Sequence, residues 1–175
     1  MKKLFIATLI VSFFAISAQA QTTFGVRAGL NIAKIKAPGD DPDSKIGFHF
    51  GGILEYDIAS IENFYLQPEV LFSFQGAEDF NTTYLNIPIL AKYYVAEQVS
   101  LHAGPQFGLL LGAEDEGEEF LTTLDVGIAL GGDYHINENI GVGLRYVIGV
   151  TDISDSEFIE DWFNRNFMIT ASYTF

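Results

Sequence analysis

The sequence predicts an all-β fold, an eight-stranded antiparallel up-and-down transmembrane β-barrel, and three observations carry that reading. Apolar and polar residues alternate with a period of two in segment after segment, as in strands whose two faces meet different surroundings. The connections alternate long and short, as the outer loops and inner turns of outer-membrane barrels do. The polarity is also inverted, with glycines and ionic residues on one face and aliphatic and aromatic residues on the other. A soluble ligand-binding barrel of lipocalin type needs the opposite arrangement.

The closing segment shows the pattern most plainly. Phe167, Ile169, Ala171, Tyr173 and Phe175 alternate with Asn166, Met168, Thr170, Ser172 and Thr174, and the segment ends on an aromatic residue. In outer-membrane barrels the last strand closes the sheet and places such a residue at the periplasmic boundary, beside an apolar band flanked by aromatic girdles.

Taken in order, the first strand runs from Phe24 to Ile32, with Val26, Ala28 and Leu30 opposite Arg27 and Asn31. After the polar loop Lys36 to Lys45, the second runs from Ile46 to Ile58. It sets Ile46, Phe48, Phe50, Leu54 and Tyr56 outward and Gly47, His49, Gly51 and Glu55 inward. The third, Phe64 to Gln75, turns Leu66, Val70, Phe72 and Phe74 out and Gln67, Glu69, Ser73 and Gln75 in. An acidic loop is expected over Gly76 to Thr83. The fourth strand, Tyr84 to Val95, then encloses Asn86, Leu90, Lys92 and Tyr94.

The fifth, Val99 to Leu111, encloses His102, Gly104, Gln106 and Gly108, and the most acidic run follows from Gly112 to Glu119. The sixth, Phe120 to Ile136, encloses Asp125, Gly127, Gly131, Asp133 and His135, and Asn137-Glu138-Asn139 makes a hairpin turn. The seventh, Ile140 to Val150, encloses Gly141, Gly143, Arg145 and Gly149, and the loop Thr151 to Arg165 leads into the last strand. Pro68, Pro88 and Pro105 fall mid-strand and each removes a ladder donor, so bulges or register slips are expected beside them.

The strand count is even. Of the 23 acidic residues, 15 fall in the four long loops, which marks the long-loop end as the extracellular one. Tyr56, Phe64, Tyr93, Tyr134 and Phe175 cluster at the short-turn end, where one membrane girdle belongs. An eight-stranded barrel is only wide enough for its own side chains. Arg27, Glu55, Glu69, Lys92, Asp125 and Arg145 are therefore expected to pair in a lumen charge network, because an unpaired buried charge costs several kcal/mol. The expected outcome is a polar, plugged interior.

The bulk numbers agree. No stretch after the N-terminus approaches the ~20 apolar residues of a spanning helix. The absence of cysteine excludes disulfides and thiolate sites, no cofactor is implied, and a net charge of −14 excludes nucleic acid as a partner. Lys2 and Lys3, the apolar run Leu4 to Ile16 and the small residues of Ala18-Gln19-Ala20 read as a cleaved signal peptide over residues 1–20. Residues 21–175 then form the barrel domain.

These residues also carry a family resemblance. Tyr84-Leu85-Asn86-Ile87-Pro88-Ile89-Leu90-Ala91-Lys92-Tyr93 resembles the Y-L-x-I-P-x-L-x-K-Y strand of PorT-like outer-membrane β-barrel proteins. Gly25-Val26-Arg27-Ala28-Gly29-Leu30-Asn31, Gly104-Pro105, and Arg145-Tyr146 with Gly149, Thr151 and Ile153 are similar to the same family. The resemblance implies an eight-stranded barrel in the outer membrane of a Gram-negative bacterium and treats the prolines as a family feature. The namesake belongs with a secretion and gliding apparatus, and the family supplies no catalytic residues.

The reading that follows is an integral barrel of the cell outer membrane with a structural or surface/secretion-accessory role, and no enzyme. Its expected partners are outer-membrane lipid, the barrel-assembly machinery through the C-terminal strand, and a secretion-apparatus or surface partner. The alternatives are a small-solute pore and a lipid-modifying enzyme using Ser73 with His49 or His102. Glu114, Asp115, Glu116, Glu118 and Glu119 form a candidate divalent-cation loop without an EF-hand pattern. Phe158, Trp162 and Phe163 are candidates to anchor at the outer headgroups or to touch a partner.

Overall fold

The computed structural model describes residues 22–36, 44–77, 80–113, 124–151 and 163–175. Within them the alternating segments form eight strands: β1 (Thr22–Lys36), β2 (Lys45–Asp57), β3 (Phe64–Ala77), β4 (Phe80–Ala96), β5 (Val99–Ala113), β6 (Leu124–His135), β7 (Ile140–Gly149) and β8 (Phe163–Thr174). Each pairs antiparallel with the next, and β1 pairs with β8, so the sheet closes on itself. Closure follows from solvent physics. In hydrocarbon no water satisfies a free strand edge, so a spanning sheet must leave none.

The face assignment holds along every strand. Val26, Leu30, Phe48, Phe50, Phe72, Ile128, Leu144 and Ile169 are exposed on the outer wall, while Arg27, Asn31, His49, Glu69, Lys92, Asp133 and Arg145 are buried inside. Leu54, expected in the outward row, is an exception in degree and is nearly covered. Cross-strand pairs such as Phe48–Phe74, with ring centroids 4.4 Å apart, stack on the outside and knit β2 to β3.

Two expectations are corrected. The loop over Gly76 to Thr83 is almost absent, because β3 and β4 stay paired out to Ala77 and Phe80. Thr82, Thr83 and Tyr84 are strand-forming residues, and the hairpin continues its ladder until only residues 78 and 79 lie between the strands. The prolines cause no register slip. Each leaves two ladder positions unpaired with the preceding strand, and pairing then resumes in the same register. The shifts occur elsewhere, at Leu111 of β5 and Val95 of β4, each an extra residue opposite one step of its partner.

At the end opposite that hairpin the connections are residues 58–63, 97–98 and 136–139. Asn63 takes a left-handed φ of 61° in the first of them, where its carbonyl accepts from Tyr94 N–H at 3.0 Å. Inside the barrel, Leu71, Leu90, Ala129, Val147 and Met168 form a packed apolar cluster on inward rows. A wall of small side chains around ionic pairs leaves volume that only such residues fill without needing a hydrogen-bond partner. The expected signal peptide lies outside the described residues.

Candidate functional site: the lumen ion network

Glu69 on β3 is the hub of the lumen. Arg145 on β7 grips it with two parallel bonds, Nη1 to Oε2 at 2.7 Å and Nη2 to Oε1 at 2.8 Å. Arg27 on β1 places Nη1 3.3 Å from Glu69 Oε1, and Gln67 Nε2 donates to the same oxygen at 2.5 Å. Arg27 Nη2 also donates to Asp133 Oδ2 on β6 at 3.0 Å. His102 on β5 accepts from Arg145 Nε at Nε2 (3.1 Å) and points Nδ1 at Asp133 Oδ2, 3.3 Å away. Because Arg Nε carries a hydrogen, that bond assigns the Nδ1–H tautomer to His102. The side chains of Arg27, Glu69, Asp133 and Arg145 are all at most 2 % exposed.

A second pair lies nearer the short turns. Lys92 Nζ is 2.6 Å from Glu55 Oε2, and Tyr94 Oη donates to Glu55 Oε1 at 3.1 Å. The Lys92 ammonium also sits 4.8 Å from the centre of the Tyr94 ring. Tyr65 meets Tyr94 edge-on at 5.2 Å, and His135 lies against its ring at 5.1 Å and pairs with Ser100 Oγ. Three cations (Arg27, Lys92, Arg145) thus meet three carboxylates (Glu55, Glu69, Asp133) inside the wall.

Glycine makes the room. A Cβ on Gly143 would stand 2.0 Å from Asp133 Oδ1, and one on Gly131 would stand 2.5 Å from His102 Nε2. Both glycines are required by what their neighbours carry, which is why the inward rows alternate tiny and large residues.

Of the six residues expected to pair in one network, Arg27, Glu69 and Arg145 meet in the hub and Lys92 and Glu55 form the separate pair. Asp125 joins neither. It lies toward the loop end and accepts from Asn164 Nδ2 at 2.8 Å and Thr151 Oγ1 at 3.3 Å, with no cation partner among the described residues. The helical climb of the paired rows carries β6 past Arg27 at Asp133, eight residues further along. Asp133 and His102 stood in inward rows, but nothing in a linear pattern marks which inward residues share a level.

The acyl-transfer or hydrolytic arrangement does not assemble. Asn31 stands between its members: its Nδ2 donates to Ser73 Oγ at 2.8 Å, and its Oδ1 meets His49 Nδ1 at 2.8 Å. Ser73 is fully buried in this amide-bridged chain, where no lipid reaches it. His102 is committed to Arg145.

Tyr56, Tyr93, Tyr134 and Phe175 are exposed and Phe64 is half-buried, all at the short-turn end, and Phe64 pairs directly with Tyr93. The five acidic residues between Glu114 and Glu119, with Phe158 and Trp162, lie outside the described residues. Phe163 opens β8.

The family model described as the outer membrane protein beta-barrel domain matches residues 18–155. Among solved structures, the chain is similar to Ail, the attachment invasion locus protein of Yersinia pestis, with a TM-score of 0.58 at 15 % identity, covering 89 % of this chain and all of that one. It is similarly related to Neisserial surface protein A, with a TM-score of 0.57 at 17 % identity over 89 % of this chain and all of the other. No curated protein matches the sequence. At these identities the structural likeness speaks to fold alone, and it agrees with the closed eight-stranded sheet. With its oily wall outside and its ions enclosed, the chain belongs to the outer membrane protein beta-barrel domain family and resides in the cell outer membrane.

Proposed function

We propose that this barrel is a sealed, non-catalytic element of the outer membrane with a structural or secretion-accessory role. The observation that carries the reading is the clasp of Glu69 between Arg27 and Arg145, which ties β1, β3 and β7 across the lumen with almost no solvent exposure. The apolar cluster of Leu71, Leu90, Ala129, Val147 and Met168 adds a packed obstruction to the ionic one. An aqueous pathway needs polar, unfilled space, and the charged residues of the hub are spent on each other.

The PorT-like pattern from Tyr84 to Tyr93 supports a place beside a secretion apparatus. The Yersinia pestis neighbour is an attachment invasion locus protein, which supports a role for this fold at a cell surface. The barrel-assembly machinery is the expected reader of the C-terminal strand. The acidic loops are the expected outward face, and the Glu114–Glu119 run is a candidate for divalent cations. Residues 1–20 act as the export signal, which N-terminal sequencing of the membrane-extracted protein tests.

The refolded protein should give no steady conductance above background in planar bilayers. Regular unitary steps in the unmutated protein would overturn the sealed-barrel reading. Crosslinking on intact cells followed by mass spectrometry tests the accessory role, with secretion-apparatus components as the expected partners.

A further inference from the structure

The loop-side half of the lumen holds a carboxylate that the ion pairs leave over. Glu55, Glu69 and Asp133 each have a cation within 3.0 Å, whereas Asp125 has none among the described residues. Its two bonds, from Asn164 Nδ2 and Thr151 Oγ1, come from neutral donors. They fill about half of the acceptor sites a carboxylate offers, and they leave its charge in place. The connections on either side of these residues, 114–123 and 152–162, carry acidic residues and no Lys or Arg.

Space and a second set of oxygens lie beside it. Asn86 on β4, Gly108 on β5 and Asp125 on β6 are paired side by side on inward rows. A Cβ on Gly108 would stand 3.0 Å from Asn86 Oδ1 and 3.4 Å from Asp125 Cβ, so these two side chains flank a position that has no side chain of its own. One inward step along β5, Gln106 stands between Gly104 and Gly108 on its own row and opposite Gly127 on β6. It is the diagonal neighbour of Asp125, within reach of a long side chain. Gln106 is 7 % exposed, and its Oε1 is buried with no hydrogen-bond partner among the described residues. A buried carbonyl oxygen left unpaired is costly and calls for a partner.

Charge and donor type choose that partner. One carboxylate and two amide oxygens make an all-oxygen set, which suits a hard cation. Arg27, Lys92 and Arg145 already balance Glu55, Glu69 and Asp133, so a single positive charge at Asp125 brings the enclosed total to zero. A second would leave an uncompensated charge inside the wall. A divalent ion asks for more anionic ligands, and no group of three His, Cys, Asp or Glu side chains able to hold one occurs among the described residues. Alkali ions, by contrast, exchange their hydration shells for carbonyl oxygens. The acidic connections at this mouth raise the local concentration of any cation.

We propose that Asp125, with the side-chain oxygens of Asn86 and Gln106, forms a site for one sodium ion taken up from the loop-end mouth of the barrel. The site goes beyond the sealed-barrel role and does not depend on it.

The test uses the full mature chain refolded into phosphatidylcholine vesicles, whose lipid carries no net charge to collect cations. Urea unfolding, followed by far-UV circular dichroism, is compared in sodium chloride and in N-methylglucamine chloride at one ionic strength. Sodium should raise the folded-to-unfolded ratio on the order of tenfold, the linkage expected when the ion stands at about ten times its dissociation constant. Asp125→Asn keeps the shape of the side chain and every acidic connection, and should abolish the increment. Gln106→Leu should weaken the apparent sodium affinity by roughly two- to tenfold, the worth of one polar contact. Heat-modifiable gel mobility reports that each variant is folded. Equal ratios in the two salts for the unmutated protein would overturn the proposal. An increment that survives Asp125→Asn would also overturn it, by assigning the ion to the acidic connections. So would a larger increment from calcium chloride at matched ionic strength that Asp125→Asn removes, because the site would then be a divalent one.

Discussion

Replacing Glu69 by Gln keeps the side chain's size and removes the one charge that two guanidinium groups share. Arg145 loses both of its carboxylate bonds, at 2.7 and 2.8 Å, and keeps only His102. Arg27 keeps Asp133 at 3.0 Å and loses the contact at 3.3 Å. Breaking a buried ion pair by removing one partner costs about 3–5 kcal/mol, because the remaining charge is left without compensation. The folded-to-unfolded ratio should therefore fall by a factor on the order of 10²–10³. Urea unfolding in lipid vesicles, followed by far-UV circular dichroism and by gel mobility without boiling, measures the loss directly. Lys92→Met is the internal control. Its partner Glu55 keeps 16 % side-chain exposure, so water takes over part of the lost interaction and the cost should be visibly smaller. The quadruple change Arg27→Met, Glu69→Leu, Asp133→Asn, Arg145→Met removes both cations and both carboxylates of the hub together. By the same physics it should lie near the parent in stability, or above it by ~1–4 kcal/mol. If Glu69→Gln moves stability by less than about 0.5 kcal/mol, the ordinary scatter of surface changes, the clasp does not hold the wall together.

Three further outcomes follow from packing. Gly143→Val puts a branched side chain where even a Cβ stands 2.0 Å from Asp133 Oδ1, and should cost about 1–3 kcal/mol by overpacking, whereas Gly52→Ala, into open space, should change stability by less than ~0.5 kcal/mol in the same urea series. Met168→Ala empties part of the lumen's apolar cluster and should cost about 2–5 kcal/mol. The same variant should raise background conductance in planar bilayers, and no rise would mean the ionic clasp alone seals the barrel. Phe175→Ala removes a girdle side chain that is 74 % exposed and meets Tyr173 edge-on, and the amount inserted in cells should fall if the assembly machinery reads that residue.

Which strands exist and which way each residue points were legible in the chain because both depend on nearest neighbours. A period of two needs only the next residue but one, and Arg27, His49, Glu69, Lys92 and Arg145 could be placed inside from their own strands. The expected orientation of the barrel rests on the contrast between short and long connections, and the β3–β4 connection, expected long, is two residues. The prolines misled because a missing donor suggests a slip, while in the closed sheet the flanking pairs on both sides hold the register across each gap. The β3–β4 hairpin misled because acidic residues at its tip suggested a loop, while its threonines and tyrosine kept the ladder paired.

Sequence alone, then, determined an inside-out barrel with its ions enclosed, since strand period and polarity are local properties of the chain. Tertiary structure decided that Glu69 meets Arg27, 42 residues before it, and Arg145, 76 residues after it, and that Asp133 and not Asp125 completes the cluster. Strands in a barrel are tilted and staggered, so a level of the lumen is assembled from residues at unrelated positions along the chain. The pattern of any one strand carries its faces but not that stagger, and only closure of β8 onto β1 sets which enclosed charges stand across from one another.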